Sequence, residues 1–315
     1  NDMRFYTERC EAMRNFANKI WNASRFLMMN LTIDKCELPG HLEMEDKWIL
    51  SKLNRVIPEV TENMDKFELG VAAQKVYDFI WDDYCDWYIE LTKSRLQGDD
   101  PSAKENAQKV LCYVLTQILK LLHPFMPFIT EEIWQALPHE GDFLMLQQWP
   151  ERREDLDFPE EEKAMELIMD AIRAIRTRRS EMNVPPSKRA RLTVATSEPQ
   201  VFTAGIPFLK RLGYGSEVTV TGMDGQEETK GSVTVITHVA RISMPMAELV
   251  DMEKEKARLE KSLAKNRAEL EKLAAKLANP GFVNKAPANV VEAERERSEK
   301  LTTLIAKLEE ELAAM

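Results

Sequence analysis

Apolar residues recur every three to four positions through most of the first half of the chain, the spacing of helices that bury one face. The spacing predicts long helices over about residues 4–30, from about residue 43 onward, over 68–96 and over 102–122, then a short helix with Thr130 as N-cap. Pro58 is expected to kink the second helix or to end its first half. In the first helix, an apolar stripe comprises Phe5, Met13, Phe16, Ile20 and Trp21. Four long helices with short connections indicate a helical bundle.

The middle of the chain changes its pattern twice. Residues 148–162 are acidic and contain prolines, which is typical of a linker. Helical spacing then returns from Met165 to Met182 and ends at residues 183–186. Alternation of period two predicts strands near residues 190–194, 217–221, 232–237 and 240–246, with a short helix near 201–212. This stretch is therefore predicted to form a small α+β module.

The end of the chain carries two heptad runs separated by Asn279, Pro280 and Gly281. Folding the second run back on the first places Leu270 opposite Ser298 and Leu263 opposite Ile305, as in an antiparallel two-helix coiled-coil hairpin. The predicted fold is therefore mainly α. Its three segments are a helical bundle over residues 1–150, a small α+β module over 151–247 and the hairpin over 248–315.

Composition narrows the class of protein. The 315 residues are 44% hydrophobic and carry a formal net charge of −10, which fits folded domains without a generally cationic coat. The four cysteines (Cys10, Cys36, Cys85, Cys112) are far apart, so we expect no disulfide framework, no metal site and a cytoplasmic location. The most apolar stretch, residues 110–129, contains Lys120, His123 and two prolines, so no membrane span is expected.

No motif for catalysis is found in this sequence. The phosphate-binding and zinc-protease motifs G-x-x-x-x-G-K-[ST], G-x-G-x-x-G after a strand and H-E-x-x-H are missing, so no catalytic residue is assigned. The pair Gly213 and Gly215 is interpreted as a turn before a strand. Glu131 and Glu132 are interpreted as compensating the positive end of a helix.

Three groups of basic residues stand out against the acidic balance. Arg173, Arg176 and Arg179 lie at i, i+3 spacing on one helix, where they could hold phosphate oxygens. They could equally form an ordinary solvated face or salt bridges to the acidic residues 160–162. The first helix combines basic and amide side chains with aromatic residues, a mixture that can hold RNA, although Phe16, Trp21 and Phe26 are interpreted mostly as core residues. The hairpin tip carries Lys272, Lys276 and Lys285 and no acidic residue from 272 to 287. This charge suits binding to a polyanion, but solvent-exposed helices commonly carry such lysines without any ligand.

Several strings of residues resemble the class Ia aminoacyl-tRNA synthetases, and the resemblance extends over essentially the whole chain. They are Arg14-Asn15-Phe16-Ala17-Asn18-Lys19-Ile20-Trp21-Asn22-Ala23-Ser24-Arg25-Phe26, Asp46-Lys47-Trp48-Ile49-Leu50-Ser51-Lys52-Leu53-Asn54, Tyr77-Asp78-Phe79-Ile80-Trp81-Asp82-Asp83-Tyr84-Cys85-Asp86-Trp87-Tyr88 and Leu122-His123-Pro124-Phe125-Met126-Pro127-Phe128-Ile129-Thr130-Glu131-Glu132-Ile133-Trp134. Such strings look like the anticodon-binding bundle that these enzymes share. The hairpin, with Phe282, Lys285-Ala286-Pro287, Val290-Val291 and Glu294, is similar to the C-terminal coiled coil of the valyl-tRNA synthetase family.

The resemblance implies a tRNA-binding role without catalysis. The family's HIGH and KMSKS signatures, its nucleotide-binding core and its editing domain are not found in this sequence. The implied partners are tRNA-Val and the catalytic and editing domains of a longer ligase, which would use ATP and Mg²⁺, whereas this part needs no cofactor and is expected to be a monomer. The bundle would bind the anticodon stem-loop, and the hairpin would bind the outer corner of the tRNA. The implied tRNA-binding residues are Arg14, Asn18, Lys19, Arg25, Arg173, Arg176, Arg179, Lys272, Lys276 and Lys285.

Two alternatives remain open. The hairpin seam could serve as an arm for protein interaction, with RNA binding incidental, or the chain could be the corresponding region of another class Ia synthetase. Polar residues at seam positions, among them Lys256, Asn266 and Ser298, favour pairing within one chain in a fixed register.

Overall fold

The structure is a computed structural model that describes residues 6–223, 231–249, 252–278 and 288–313. It divides into two compact units, Asn1–Leu167 and Ile168–Met315. Helix α7 (Pro159–Glu181) begins in the first unit and ends in the second. The domain boundaries predicted after residues 150 and 247 stay predictions.

The first unit consists of helices, as the apolar spacing predicts. They are α1 (Thr7–Asn30), α2 (Met44–Asp65), α3 (Leu69–Asp78), a π-helical segment (Phe79–Tyr88), α4 (Ile89–Leu96), α5 (Pro101–Leu122), α6 (Pro127–Gln135) and the start of α7. Short 3-10 turns lie at Leu144–Leu146 and Glu154–Leu156. Helix α5 is the central element because it packs against α1, α2, α3, α4 and α6. Trp48 and Trp134 are fully buried beside it in the core of this unit.

A buried ionic network joins α2 to α4. Arg95 Nη2 and Nη1 lie 2.5 and 2.9 Å from the two carboxylate oxygens of Asp46, and Arg95 Nε lies 3.0 Å from Glu45 Oε1. The hydroxyl of Tyr88 donates to Asp46 Oδ1 at 2.7 Å. Asp46 is fully buried and Glu45 nearly so. Burial raises the pKa of Glu45 to about 7, although the positive charge of Arg95 acts in the opposite direction.

The raised pKa of Glu45 predicts a pH-dependent stability of the first unit. Because the folded state holds this proton more tightly than the unfolded state, the stabilisation is fully present below about pH 4.5 and is lost as the pH rises through about 7. Between pH 5 and pH 8 the free energy of unfolding should fall by roughly 2 kcal/mol less in Glu45→Gln than in the wild type, because glutamine does not titrate. Urea unfolding at the two pH values measures it, and equal pH dependence of the two proteins would contradict the prediction.

Two features of the long helices differ from the sequence predictions. Pro58 lies on the exposed side inside α2, which continues to Asp65, so the alternative that it ends the helix is wrong. The third predicted helix is interrupted by the π-helical segment, in which Tyr84 and Tyr88 are fully buried with ring centroids 6.3 Å apart. The apolar spacing over ten residues does not distinguish an α-helix from a π-helix, so this segment could not be predicted from the sequence.

The N-cap predicted at Thr130 is wrong. Helix α6 begins at Pro127, which has no backbone N–H and therefore suits the first helical position, with Met126 at the N-cap. The hydroxyl of Thr130 donates to the carbonyl of Met126 at 2.9 Å and lies 2.7 Å from His123 Nδ1. His123 follows the end of α5, as predicted.

The predicted linker over residues 148–162 is packed against α2. The side chain of Asn54 donates to the carbonyl of Arg153 and accepts from its N–H, both at 2.7 Å. The indole of Trp149 donates to Thr61 Oγ1 at 2.8 Å, and Leu156 is buried. These contacts are invisible in the local sequence because they join positions 88 to 99 residues apart.

The expectation of no disulfide framework is contradicted at one pair of cysteines, Cys36 and Cys112. The structure joins them in a disulfide whose Cα atoms are 5.2 Å apart. The residues are 76 positions apart, and they meet because the connection after α1 is held against α5. Gln108 on α5 accepts hydrogen bonds from the N–H of Thr32 at 2.9 Å and from its hydroxyl at 3.1 Å.

The second unit contains the predicted small α+β module. Its elements are the rest of α7, β1 (Ala190–Thr196), α8 (Pro199–Ala204), α9 (Ile206–Leu212), β2 (Gly215–Gly222), β3 (Ser232–Ile236), β4 (Ala240–Pro245) and α10 (Met246–Leu249). The sheet order is β2-β1-β4-β3, with β1 parallel to β2 and the other pairs antiparallel. Val194 pairs with Val220 on one side and with Ile242 on the other. Gly205 lets the α8–α9 junction approach α7, since a Cβ there would lie 2.7 Å from Ile168 Cδ1.

Two long helices complete the chain. Helices α11 (Met252–Ala278) and α12 (Ala288–Ala313) pack against each other in opposite directions. The ion pair between Glu269 and Arg297, at 2.5 Å, lies directly beside the predicted facing positions 270 and 298. Seam residues Leu273, Val291, Leu301 and Ile305 are buried. The mainly helical fold with one small sheet module is confirmed, whereas the coiled-coil geometry stays a prediction and the connection at 279–287 lies outside the described residues.

No helix within the described ranges combines the length and the apolar character needed to cross a membrane.

Candidate nucleic-acid interface

Helix α1 turns one side toward solvent and the other toward the bundle. Its buried residues Phe16, Ile20, Ala23 and Leu27 follow one another at intervals of three or four, so they share a face. At 3.6 residues per turn, Arg14, Asn18, Trp21 and Arg25 fall within roughly 60° of one another on the exposed side. These four residues are called the α1 strip below. All four are exposed, and Trp21 retains 44% of its accessible surface.

The α1 strip is positively charged in a chain whose net charge is negative. No Asp or Glu occurs from residue 12 to residue 33. Among the described residues, neither Arg14 nor Arg25 has an ion-pair partner. Their guanidinium groups can therefore hold phosphate oxygens without first breaking an internal salt bridge. The amide of Asn18 adds a donor and an acceptor that suit the edges of bases.

Lys19 lies elsewhere on α1. On the helix it is about 100° or more from every member of the strip. Its Nζ lies 2.6 Å from Asp86 Oδ1 and 3.6 Å from the ring centroid of Trp81. Burial raises the pKa of the neighbouring Cys85 to about 12, so that thiol stays protonated at neutral pH. The predicted RNA contact of Lys19 stays untested, but its charge is already balanced by Asp86.

The arginines predicted on α7 are not equivalent. Arg179 is 2% exposed and donates to the carbonyls of Pro185, at 3.2 Å, and of Lys188, at 2.5 Å. Arg176 Nε donates to the carbonyl of Leu212 at 2.8 Å. Both guanidinium groups lie over the ring of Tyr214, at 4.9 Å for Arg179 and 5.8 Å for Arg176.

These contacts favour a structural role for two of the three arginines. Arg176 supports the turn that precedes β2, where Tyr214 has a φ of 58°, and Arg179 supports the loop that precedes β1. Arg173 is exposed on the same helix. Two of the acidic residues considered as salt-bridge partners for these arginines pair with other cations. Glu161 pairs with Lys47 at 2.7 Å and Glu162 pairs with Arg55, and these two cations lie on α2. The predicted phosphate contacts of the three arginines remain untested.

The lysines predicted at the hairpin tip are only partly described. Lys272 is exposed near the end of α11. Lys276 pairs with Glu294 of α12 at 2.7 Å, and this hydrogen bond lowers the pKa of Glu294. Lys285 lies outside the described residues. Lys272 therefore offers a charge on this helix pair, whereas that of Lys276 is shared with a carboxylate.

Sequence reasoning missed one candidate. Trp21 is assigned to the apolar stripe by its residue type, but the structure exposes it. The buried set at 16, 20, 23 and 27 gives the signal that could have found it, since position 21 falls outside that spacing. The described residues contain no group of three or more His, Cys, Asp or Glu side chains arranged to hold a metal ion.

Comparison with known proteins assigns the chain to a class. The family described as the anticodon-binding domain of tRNA ligase matches residues 46–194. The family described as the valyl tRNA synthetase tRNA binding arm matches residues 251–315. The chain thus carries tRNA-binding domains of an aminoacyl-tRNA synthetase.

Individual relatives narrow the class to one family. The valine–tRNA ligase of Clostridium acetobutylicum is 46% identical over 320 residues, covering 100% of this chain and 36% of the relative. The valine–tRNA ligase of Carboxydothermus hydrogenoformans is 48% identical over 94% of this chain, and that of Bacillus cereus is 43% identical over 95% of it. In each case the match covers 34% of the relative. The chain belongs to the valyl-tRNA synthetase family and corresponds to the C-terminal part of these relatives, of which it spans about a third.

Proposed function

We propose that this chain is the tRNA-recognition portion of a valine–tRNA ligase. The first unit binds the anticodon stem-loop through the α1 strip, and the helix pair α11–α12 binds the outer corner of the same tRNA. Attachment of valine, with its need for ATP and Mg²⁺, belongs to the part of the ligase that lies outside this chain. The cognate partner is tRNA-Val, and the setting is protein synthesis in the cytoplasm by a monomeric ligase.

The observation that carries this proposal is the exposed side of α1 from Arg14 to Arg25, where two arginines without ion-pair partners among the described residues lie in a stretch without Asp or Glu. Arg14 and Arg25 are about 16 Å apart along the helix axis, a distance that spans several nucleotides of an RNA backbone. Phosphate contacts of this kind give affinity that falls with salt and position the RNA. The match of residues 46–194 to the anticodon-binding family supports the same assignment, although α1 precedes the matched range.

The alternative of a protein-interaction arm receives less support. The apolar seam of the helix pair is used within the chain, since Leu273, Val291, Leu301 and Ile305 are buried. Ion pairs cross the same seam between Arg267 and Glu309, Lys276 and Glu294, and Glu269 and Arg297. A second copy would have to break these contacts to form a shared bundle.

Replacing strip arginines tests the proposal. We expect Arg14→Ala and Arg25→Ala each to weaken binding of tRNA-Val and to reduce the slope of log Kd against log salt by about 0.7–0.9, the loss of one phosphate contact. Lys19→Ala should have a smaller effect because Asp86 already balances its charge. Fluorescence anisotropy of labelled tRNA over a range of salt concentrations measures both quantities.

Lys66→Ala is the matched control, since Lys66 is an exposed cation at the end of α2 that pairs with Glu62 at 2.5 Å. We expect it to leave the salt slope unchanged. If Arg14→Ala and Arg25→Ala behave like this control, α1 is a core helix without an RNA contact.

A further inference from the structure

One aromatic side chain of the α1 strip, Trp21, lies on the solvent side of the helix, outside its buried stripe. Trp21 is the most exposed of the six tryptophans, whereas Trp48 and Trp134 are fully buried in the core. Among the described residues its indole makes no ring stacking or cation–π contact. An exposed indole that makes no such contact is available to stack on the flat face of a ligand.

A second tryptophan near α1, Trp81, makes ring contacts within the protein. Trp81 stacks on Tyr77 with ring centroids 5.6 Å apart and an angle of 12° between the planes. Lys19 Nζ lies 3.6 Å from the Trp81 ring centroid. Contacts within the protein therefore engage Trp81, and Trp21 is the tryptophan left for an external partner.

The neighbours of Trp21 determine the chemistry of that partner. Arg14 and Arg25 lie within roughly 40° of it around the helix and on either side of it along the axis. A flat aromatic ring between two guanidinium groups matches a nucleotide whose base stacks while the flanking phosphates meet the cations. A duplex offers no such base, because its bases are already stacked on one another.

We propose that Trp21 stacks on one unpaired nucleobase of the RNA bound at the α1 strip. The inference rests on the proposed function and adds that this contact lets α1 distinguish looped RNA from duplex RNA. The arginines supply attraction to any phosphate backbone, whereas the indole contributes only where a base is free to leave the stack. Asn18, within about 60° of Trp21 on the helix, can donate to or accept from the edge of that base.

The test compares two RNAs and three proteins, which are the full wild-type chain and its variants Trp21→Ala and Trp21→Phe. The RNAs are a hairpin carrying the anticodon loop of tRNA-Val and a fully paired duplex of the same length. Trp21→Ala should weaken hairpin binding by about 5- to 150-fold, the range seen when a stacking aromatic is removed. The salt slope should stay unchanged because no charge is lost. Trp21→Phe should keep most of the affinity, and duplex binding should be the same for all three proteins.

Met13→Ala is the matched control, since Met13 is a 52% exposed apolar residue on α1 about 80° away from Trp21. Wild-type affinity is expected for it. Quenching of tryptophan fluorescence on adding the hairpin should be larger in the wild type than in Trp21→Phe, which tests the contact even if Trp21→Ala folds poorly.

The outcomes separate this inference from the proposed function. If the wild type binds the hairpin and Trp21→Ala binds it equally well, the stacking inference is wrong while the RNA-binding function stands. Equal losses for hairpin and duplex would likewise overturn it and indicate that Trp21 supports the helix or packs against another part of the ligase. If the wild type binds neither RNA, the proposed function itself fails.

Discussion

Replacing Asp46 by alanine should destabilise the first unit by roughly 3–5 kcal/mol, the cost of removing one partner from a buried ion pair. The variant leaves Arg95 without its bidentate acceptor and Tyr88 without the oxygen 2.7 Å from its hydroxyl. It also removes the carboxylate that accepts the N–H of Glu43 at the start of α2, at 3.0 Å. Glu45 remains beside Arg95 and limits the loss.

Tryptophan fluorescence reads this change selectively. All six tryptophans precede residue 150, so urea unfolding followed by their emission reports the first unit and not the second. Asp65→Ala is a suitable control because Asp65 is an exposed carboxylate on the same helix, and it should change the stability by less than about 0.5 kcal/mol. Similar unfolding midpoints for the two variants would mean that the network does not hold α2 against α4.

The second large effect is expected from the helix pair. Removing residues 250–315 should weaken binding of tRNA-Val by roughly 10- to 100-fold at low salt and reduce the salt slope by about 2. The truncation ends after α10 and keeps the contact of Glu248 with Arg191, at 2.6 Å, together with all four strands, so the sheet module should stay folded.

Point variants in the full chain check the origin of this effect. Lys272→Ala should remove about 0.7–0.9 of the salt slope, whereas Lys276→Ala should remove less because Glu294 shares its charge. Titration of labelled tRNA with each protein gives the slopes. An unaltered slope in the truncated protein would show that the helix pair does not contact the tRNA.

Helical and strand periodicity in the sequence predicts most elements of the fold. The apolar spacing locates α1, α2 and α5, and the alternation around Val194 locates β1, one of the two central strands of the sheet. These predictions succeed because burial on one face imposes a local period of 3.6 or 2 on the residue types. The contacts of residues 148–162 with α2 and the meeting of Cys36 with Cys112 depend on distant partners, which no local period encodes.

The site residues are harder to predict because the type of a residue does not determine whether its side chain points to the core or to the solvent. Arg179 has the type and spacing of a phosphate ligand, yet its guanidinium turns inward to two backbone carbonyls. Trp21 has the type of a core residue, yet it lies outside the buried spacing of α1. Long side chains can bury their charge where carbonyls converge, and a helix has only one buried stripe for its aromatic residues.

The most direct test of the account is the salt dependence of tRNA-Val binding by the wild type and by the double variant Arg14→Ala, Arg25→Ala. The account predicts measurable binding at low salt by the wild type, tighter than for a tRNA with another anticodon, and a slope about 1.5 lower in the double variant. Absence of binding by the wild type at low salt, or equal slopes for the two proteins, would contradict it.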